Sequence, residues 1–220
     1  MTTNLKFFKN KKFLPSDELI YNVLYDKKIG YYSRKEPFGI SGDFITSPKV
    51  SDLFSEIVAI WIISVWEVFG KPKKINIVEL GPGDGSLSKI LLKIFKRFPE
   101  FNCSKEMYLF EVSDHLKNLQ KNKIANKKVK WIKDFNKIKN GPIIFFGNEF
   151  FDAIPIQQFK NIKGKLYKKY FSIQEQGVIK EIFKKASKKE TSNILNYKSL
   201  KNLKFIEFPK NGLKEIKRMI

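Results

Sequence analysis

The sequence has very few of the residues on which several classes of site depend. Its 220 residues include one cysteine, Cys103, and one histidine, His115. A single cysteine excludes an internal disulfide framework and any multi-cysteine metal site. A single histidine excludes most histidine-based metal centres, and any Ser-His or Cys-His catalysis has to run through His115. We therefore expect no metal, no role for Cys103, and a solvated helical position for His115.

Arginine is also scarce, although the chain is strongly basic. The 43 basic residues comprise 40 lysines and three arginines, and the 22 acidic residues leave a net charge of +21. Arginine supplies most bidentate contacts to phosphates and bases, so a surface selected for nucleic acid normally carries more of it. The abundance of lysine, asparagine, isoleucine and phenylalanine favours a compositional background of the kind that AT-rich DNA encodes. Nucleic acid is therefore not the expected partner.

Long apolar runs are absent as well. The most apolar stretch, 57–66, lies between Glu56 and Glu67 and has ten residues, whereas a membrane-spanning helix needs about 20. Residues 1–15 contain no apolar run of signal-peptide length. These features and the lone cysteine predict a reduced, cytoplasmic location in a bacterial cell.

The stretches that lysine avoids are the informative ones. Residues 75–88 and 140–159 contain no lysine, and residues 36–70 contain only Lys49. Buried strands and helices exclude lysine in any protein. These stretches, however, also hold glycine, proline, asparagine and acidic residues that a core does not need, so we expect the chemistry of the protein there.

Alternating strand and helix patterns predict an open parallel α/β sheet. Short apolar segments indicate four strands. Between them, apolar residues at helical spacing predict helices at 87–98 and 114–124. The four predicted strands are 75–80, 107–112, 129–132 and 143–146.

The flanking segments follow other patterns. Before the sheet we predict a helix that Gly30 ends and a second helix at 49–69, and we expect Pro99 to end the helix at 87–98. After Pro155, residues 156–183 alternate in polarity around two glycines, which is typical of a small antiparallel insertion. A strand at 203–208 and a helix from residue 212 onward complete the prediction.

A glycine-rich loop, Gly81-Pro82-Gly83-Asp84-Gly85, joins the first strand to an amphipathic helix. In open α/β sheets, cofactors bind in the crevice at such a strand end. Glycine suits this position because it has no Cβ and lets the backbone approach a ligand closely. The loop lacks the Lys-Ser/Thr of a phosphate-binding P-loop, and its third glycine comes one residue too early for the dinucleotide fingerprint.

An acidic residue lies at the end of each of the first two predicted strands. Glu79 would repel a pyrophosphate but suits a cation, such as the amino group or sulfonium of S-adenosylmethionine. Glu111, at the end of the second strand, could accept hydrogen bonds from ribose hydroxyls. Either acid alone is equally consistent with an ordinary strand end, and it is their order around the loop that favours a cofactor site.

These motifs together resemble the MidA-type methyltransferase family, which includes the mitochondrial complex I assembly arginine methyltransferase. The segments that carry the resemblance are Gly30-Tyr31-Tyr32, Gly42-Asp43-Phe44-Ile45-Thr46-Ser47-Pro48, Glu79–Gly85, Asn148-Glu149-Phe150-Phe151-Asp152-Ala153-Ile154-Pro155 with Gln158-Phe159, and Glu207-Phe208-Pro209. The resemblance implies a Rossmann-like class I fold, S-adenosylmethionine as cofactor, and a protein arginine as substrate, for instance in a respiratory complex I subunit.

The resemblance also implies a role for each candidate residue. Gly81, Gly83 and Gly85 would form the floor under the cofactor, Glu79 would face its charged end, and Glu111 its ribose. Asp134 and Phe135 would lie near the adenine, although a loop aspartate and a core phenylalanine explain them equally well. Asn148, Glu149 and Asp152 would hold a guanidinium beside the methyl group, or would serve as helix caps. Asp43, Thr46 and Ser47 would form a lid, or cap the next helix.

Relatives of this family continue past the position of Ile220, so we expect a C-terminally truncated chain with an incomplete sheet. The expected domains are an N-terminal helical segment at 1–70, a Rossmann-like cofactor core at 71–155, and an insertion hairpin with the start of the C-terminal half at 156–220. Two alternatives stay open: methyl transfer to nucleic acid or another substrate, and a non-catalytic, cofactor-binding assembly factor.

Overall fold

The computed structural model describes residues 3–34, 51–174 and 177–220. Its helices are α1 (Thr3–Phe8), α2 (Ser16–Tyr25), α3 (Tyr31–Arg34), α4 (Asp52–Val68), α5 (Ser86–Phe95), α6 (Pro99–Ser104), α7 (Asp114–Ile124), α8 (Lys188–Leu195) and α9 (Lys210–Met219). Its strands are β1 (Phe13–Pro15), β2 (Ile75–Leu80), β3 (Lys105–Phe110), β4 (Lys130–Ile132), β5 (Ile143–Phe146), β6 (Gln157–Ile162), β7 (Lys165–Ile173), β8 (Ile179–Lys185) and β9 (Phe205–Phe208).

The chain forms two compact units. The parallel unit comprises residues 32–150, and the antiparallel unit comprises residues 1–31 together with 151–220. The division into three domains that the sequence suggests, with boundaries at residues 70 and 155, stays a prediction.

The parallel unit contains a four-stranded sheet in the order β4-β3-β2-β5, and all its neighbours run parallel. This confirms the predicted α/β class. Every residue of β2 is buried, as expected for a central strand with helices available for both faces. The register sets Leu80 beside Phe110 and Glu79 beside Phe146, so the strands end at one common edge.

The core of this unit is built by helices that carry apolar stripes. On α5, the stripe buries Leu87, Leu91, Ile94 and Phe95, while Lys89 and Lys93 face solvent. On α4, Ala59, Ile62, Ile63 and Trp66 are buried, whereas Trp61 is half exposed. Among the described residues, no helix is both long and apolar enough to cross a membrane.

Most of the other predicted boundaries differ from the structure by a few residues, and three of the differences are informative. Helix α2 ends at Tyr25 rather than Gly30, and Gly30 N instead bonds to Asp26 O in a separate turn. Pro99 begins α6 at its first position, where a missing N–H costs nothing, and so it does not merely end α5. The second strand spans Lys105–Phe110, two residues earlier than predicted, which leaves Glu111 just beyond it.

The antiparallel unit contains a five-stranded sheet. Strand β7 pairs with β1, β6 and β8, and β6 also pairs with β9, all antiparallel. The predicted insertion therefore exists, and residues 3–25 contribute to the same unit. Ser187 and Glu190 form a capping box at the start of α8. A small hydrophobic core of this unit consists of Phe159, Leu166, Ile194, Ile206 and Phe208.

Candidate functional site

The carboxyl ends of the four parallel strands bring most of the predicted site residues to one edge. Gly81 N donates to Phe110 O at 3.1 Å, and Glu111 N donates to Ile132 O at 3.2 Å. The glycine loop after β2 therefore begins beside the residue that follows β3. In open parallel sheets, this edge is where ligands bind.

The glycine loop is held in a conformation that requires glycine. Gly81, Gly83 and Gly85 have φ values of +59°, +56° and +82°, in the left-handed region. A Cβ on Gly81 would also come within 2.9 Å of Phe150 Cδ2, and one on Gly85 within 3.2 Å of Ile124 Cδ1. The loop is therefore bare backbone packed closely against its surroundings.

Glu79 lies beneath this loop and is almost completely buried, with 2% of its surface exposed. Its Oε2 accepts a hydrogen bond from Ser88 Oγ on α5. Burial and, to a smaller extent, the nearby Asp84 carboxylate together raise the pKa of Glu79 to about 7, although the Ser88 hydrogen bond opposes the rise. Glu79 therefore keeps its proton to a higher pH than an exposed glutamate does.

Glu111 is the second buried acid at this edge, with 6% of its surface exposed. Its Oε1 accepts from Ser113 N at 2.7 Å, and its Oε2 accepts from Gln120 Nε2 at 3.0 Å. Burial raises the pKa of Glu111, although these hydrogen bonds oppose the rise. Each carboxylate oxygen keeps capacity for a further hydrogen bond, because it has two lone pairs.

Helix α7 fixes the position of both the glycine loop and Glu111. Gln120, fully buried, donates to Gly83 O at 2.7 Å as well as to Glu111, and its own Oε1 accepts from Trp131 Nε1 at 2.9 Å. Lys123 Nζ lies 2.6 Å from Asp84 Oδ2. One face of a single helix thus holds the loop at two points.

Asp134 and Phe135 follow β4, as predicted. Asp134 caps the short 3-10 helix Phe135–Lys137, and its Oδ1 accepts from Asn136 N at 3.1 Å. Phe135 is buried, with its ring centroid 4.5 Å from that of Phe110 and 5.5 Å from that of Phe145. Both residues therefore have local structural roles, and their proximity to an adenine stays a prediction.

Asn148 and Glu149 follow β5 at the same edge. Glu149 is exposed and has a φ of +58°, a strained conformation for a residue with a side chain. Asp152 belongs to the antiparallel unit, where it lies exposed in the short 3-10 helix Phe151–Ala153. The predicted lid residues Asp43, Thr46 and Ser47 lie outside the described residues.

Tyr32 is a titratable residue of this edge to which the sequence reasoning gave no role. Ser113 Oγ donates to its carbonyl oxygen at 3.4 Å. Partial burial raises the pKa of Tyr32, and the charges of Glu111 and Glu149 raise it further. Tyr32 therefore lies within electrostatic range of both carboxylates, and its place in the Gly30-Tyr31-Tyr32 segment was the available signal.

The sequence reasoning also missed Gln120 and Ser88. Gln120 occupies the apolar-stripe position between Leu116 and Ile124, at spacings of four residues, and a polar side chain in such a position indicates a buried hydrogen-bonding role. Ser88 lies one turn into α5 and carried no distinguishing pattern.

Comparison with known proteins gives consistent matches. The Methyltransf_28 family of S-adenosyl-L-methionine-dependent methyltransferases matches residues 57–218. The protein arginine methyltransferase NDUFAF7 of Xenopus laevis is 34% identical over 66% of this chain and 39% of its own length. The human NDUFAF7 is 32% identical over 65% of this chain and 38% of its own. The chain thus spans about two fifths of these relatives' length.

A solved structure shows the same fold. A COG1565 superfamily member from Burkholderia thailandensis, crystallised with S-adenosyl-homocysteine, covers 87% of this chain with a TM-score of 0.71 and 21% identity. The match covers 51% of that protein. With residues 57–218 matched by the family and the glycine loop set at the carboxyl edge of a parallel sheet, the chain belongs to the S-adenosyl-L-methionine-dependent methyltransferases of the MidA type.

Proposed function

We propose that the chain binds S-adenosylmethionine and serves the transfer of its methyl group to an arginine of a protein. The observation that carries the proposal is the convergence of the glycine loop, Glu79, Glu111 and Glu149 on one edge of the parallel unit. The relatives named as protein arginine methyltransferases support the substrate class.

The residues at this edge suit that cofactor. The loop offers backbone without side chains, since Gly81 and Gly85 have no room for a Cβ that leaves their neighbours in place. Neither buried acid forms an ion pair among the described residues: their hydrogen bonds come from Ser88, Gln120 and backbone N–H groups, and only the more distant charge of Lys133 acts on Glu111. A cationic ligand that also carries ribose hydroxyls would supply what these acids lack.

When bound, S-adenosylmethionine would supply a methyl group on a sulfonium: an arginine nitrogen would attack the methyl carbon in line, the C–S bond would break with a neutral thioether as leaving group, and the methylated nitrogen would lose a proton. Glu111, fixed by Gln120 and Ser113, would accept hydrogen bonds from the ribose. Glu79 would provide negative charge beneath the loop, and a cation bound nearby would lower its pKa below 7. Orientation of the two reacting groups is the main contribution that the protein can make to such a reaction.

On the substrate side, Asn148 and Glu149 at the end of β5 would hold the guanidinium, with Asp152 proposed as a second carboxylate. A carboxylate binds guanidinium through two parallel hydrogen bonds, which fixes the plane of the group and presents one nitrogen to the methyl carbon. The strained backbone at Glu149 is consistent with a side chain kept in a set direction for function.

The finer parts of the proposal concern partner and location. A respiratory complex I subunit is the proposed substrate, and a bacterial cytoplasmic location is proposed with it. The proposed substrate rests on the sequence resemblance, and the proposed location rests on the lone cysteine and the short apolar runs of the sequence.

Calorimetric titration of S-adenosylmethionine tests the binding step. The parent chain is compared with Gly83→Val and with Gly164→Val, a substitution in the β6–β7 turn. Both glycines have positive φ, at +56° and +77°, so the two variants carry similar backbone strain. We expect binding to be lost in Gly83→Val and kept in Gly164→Val, and equal affinity in all three chains would refute the site.

The transfer step needs a separate measurement. The chain is incubated with a cell extract and methyl-labelled S-adenosylmethionine, and labelled methylarginine is sought in hydrolysed protein. Cofactor binding without labelled arginine in any protein would overturn the proposed reaction while leaving the binding site intact.

A further inference from the structure

The parallel unit has a large groove that is lined by none of the described residues proposed to bind the cofactor or the substrate, although Lys123, which holds Asp84 of the glycine loop, lies at its border. It has a volume of 1790 Å³ and is bounded by α5, α7 and the first residues of β3 and β4. Six of its lysines form what we call the lysine groove: Lys89, Lys93, Lys96, Lys105, Lys127 and Lys128.

The positive charge of this groove is not neutralised. In the parts of the chain that the structure describes, none of the six lysines forms an ion pair. Two carboxylates line the groove, Asp52 and Glu106, and Glu106 is already shared between Lys130 and Lys139. The groove therefore presents a concave positive field, which concentrates anions.

Lys105 shows that this field acts inside the groove. Its Nζ donates to Asn102 Oδ1 at 2.7 Å and is partly buried. Burial and, to a smaller extent, the charges of Lys128 and Lys96 together lower the pKa of Lys105 to about 8. An anion bound between these side chains would reverse that effect, because it would stabilise all three ammonium groups.

The shape and lining of the groove favour an extended anion. Its volume exceeds the range of about 300–1,000 Å³ that is typical of small-molecule pockets. Lys89, Lys93 and Lys96 follow one another along α5 at intervals of four and three residues, which corresponds to axial steps of about 6 and 4.5 Å. The lysines are therefore arranged in a row.

The lining also separates two classes of partner. Among the described residues that line the groove, none is aromatic and none is a large exposed apolar residue, although aliphatic side chains such as Leu92, Met107 and Val129 form part of its wall. Protein interfaces are depleted of lysine and anchored by aromatic or apolar residues, whereas nucleic-acid interfaces are polar and strongly positive. We propose that the lysine groove binds the phosphate backbone of a nucleic-acid strand without reading its base sequence.

Because lysine is frequent throughout the sequence, specific binding at this groove must depend on where the six lysines lie and not only on the net charge of the chain. The scarcity of arginine argues against base recognition, and a row of lysines along a groove suits phosphate contacts, which need no bidentate geometry. The test must therefore separate the position of the lysines from their number.

Fluorescence anisotropy with a labelled 20-nucleotide oligouridylate provides that test, over a range of salt concentrations. The groove variant carries Lys93→Gln, Lys96→Gln and Lys128→Gln. The control carries Lys180→Gln, Lys189→Gln and Lys201→Gln in the antiparallel unit. All six lysines are exposed and form no ion pair among the described residues, so both triple variants have the same net charge. Thermal melting followed by circular dichroism verifies that both fold.

We expect the groove variant to bind about tenfold more weakly or worse, with the slope of log affinity against log salt reduced by about 2, while the control changes little. Equal losses in the two variants would show that net charge alone drives binding and would overturn the proposal. Absence of binding by the parent chain, or tighter groove-dependent binding of polyglutamate, would overturn it too.

Discussion

The parallel unit buries two carboxylates, Glu79 and Glu111, whereas the antiparallel unit buries an ammonium group, Lys168. Neither buried acid has a cationic partner within bonding distance among the described residues, and burial raises the pKa of both. Lys168, by contrast, lies 3.0 Å from Glu190 and 4.0 Å from Asp17.

The difference between the two units indicates which buried charges belong to a binding site and which belong to the structural framework. A buried charge without a counter-charge costs stability, and it is retained where a ligand supplies the missing partner. A buried charge with its partners in place belongs to the structure itself. The parallel unit therefore buries carboxylates without an ion pair among the described residues, as expected of a binding site, whereas the antiparallel unit pairs its buried Lys168 with Glu190 and, at 4.0 Å, with Asp17, whose Oδ1 has no hydrogen bond.

The largest expected effect concerns Glu79. Its pKa in the folded state is raised from 4.5 to about 7. The folded state therefore holds a proton more tightly, and the associated stability is present below pH 4.5 and lost as the pH rises through 7. The loss amounts to about 3 kcal/mol. Urea unfolding at pH 4.5 and 8 should show that loss in the parent relative to Glu79→Gln.

Glu56→Gln is the matched control for that experiment. Glu56 is exposed on α4, so its removal should leave the pH dependence of the free energy of unfolding parallel to that of the parent. If Glu79→Gln also runs parallel to the parent, Glu79 is not held protonated and the contrast between the two units disappears.

The next effect concerns Lys168. Burial alone would raise the pKa of the Glu190 carboxyl, but hydrogen bonds from Ser187 and Lys168 hold it below its ordinary value. Lys168→Met would leave the Glu190 and Asp17 carboxylates without their cation and should cost about 2 kcal/mol at pH 7. Denaturant unfolding measures this cost, and Lys165→Met, an exposed position on the same strand, should change stability by no more than about 0.5 kcal/mol. Equal costs would show that the pairing of Lys168 contributes nothing.

The smallest expected effect concerns backbone strain. Glu149 in the parallel unit and Lys163 in the antiparallel unit have φ values of +58° and +49°. Replacing either by glycine should raise the free energy of unfolding by about 1 kcal/mol, because glycine adopts this conformation without strain. Only Glu149→Gly should also reduce methyl transfer. Full activity in Glu149→Gly would show that the strain there serves no chemistry.

Local sequence patterns identified several elements correctly. Strands 75–80 and 143–146 and helix 114–124 match the structure residue for residue. Each has a clear apolar pattern bounded by residues with strong turn or capping preferences, and Ser113, for example, accepts from Leu116 N as a cap.

The errors fall where two local solutions compete. Gly30 is suited to end a helix, yet Asp26 ends α2 earlier because its carboxylate accepts from Lys28 N and Ile29 N and forms a turn of its own. A proline likewise ends one helix or starts another, and for Pro99 the choice depends on Phe101, which is buried in the core of the parallel unit.

The candidate site was predictable only in part. Gly81, Gly83, Gly85, Glu79 and Glu111 are marked by their position around a strand end. Gln120 is not, because it lies 37 residues from the glycine whose carbonyl it binds. A hydrogen bond over such a separation has no periodic signature in the chain. Tyr32 did lie in a marked segment, Gly30-Tyr31-Tyr32, but its proximity to the charges of Glu111 and Glu149 depends on the fold.

The sequence by itself determined the alternation of strands and helices, the loop that only glycine can form, and the family to which the chain belongs. These follow from local preferences and from short motifs, which act between neighbouring residues. The tertiary structure alone decided that Glu79 and Glu111 are buried without an ion pair among the described residues and that six lysines share one groove. Burial and summed charge depend on which distant residues come together, and folding, not local order, sets those distances.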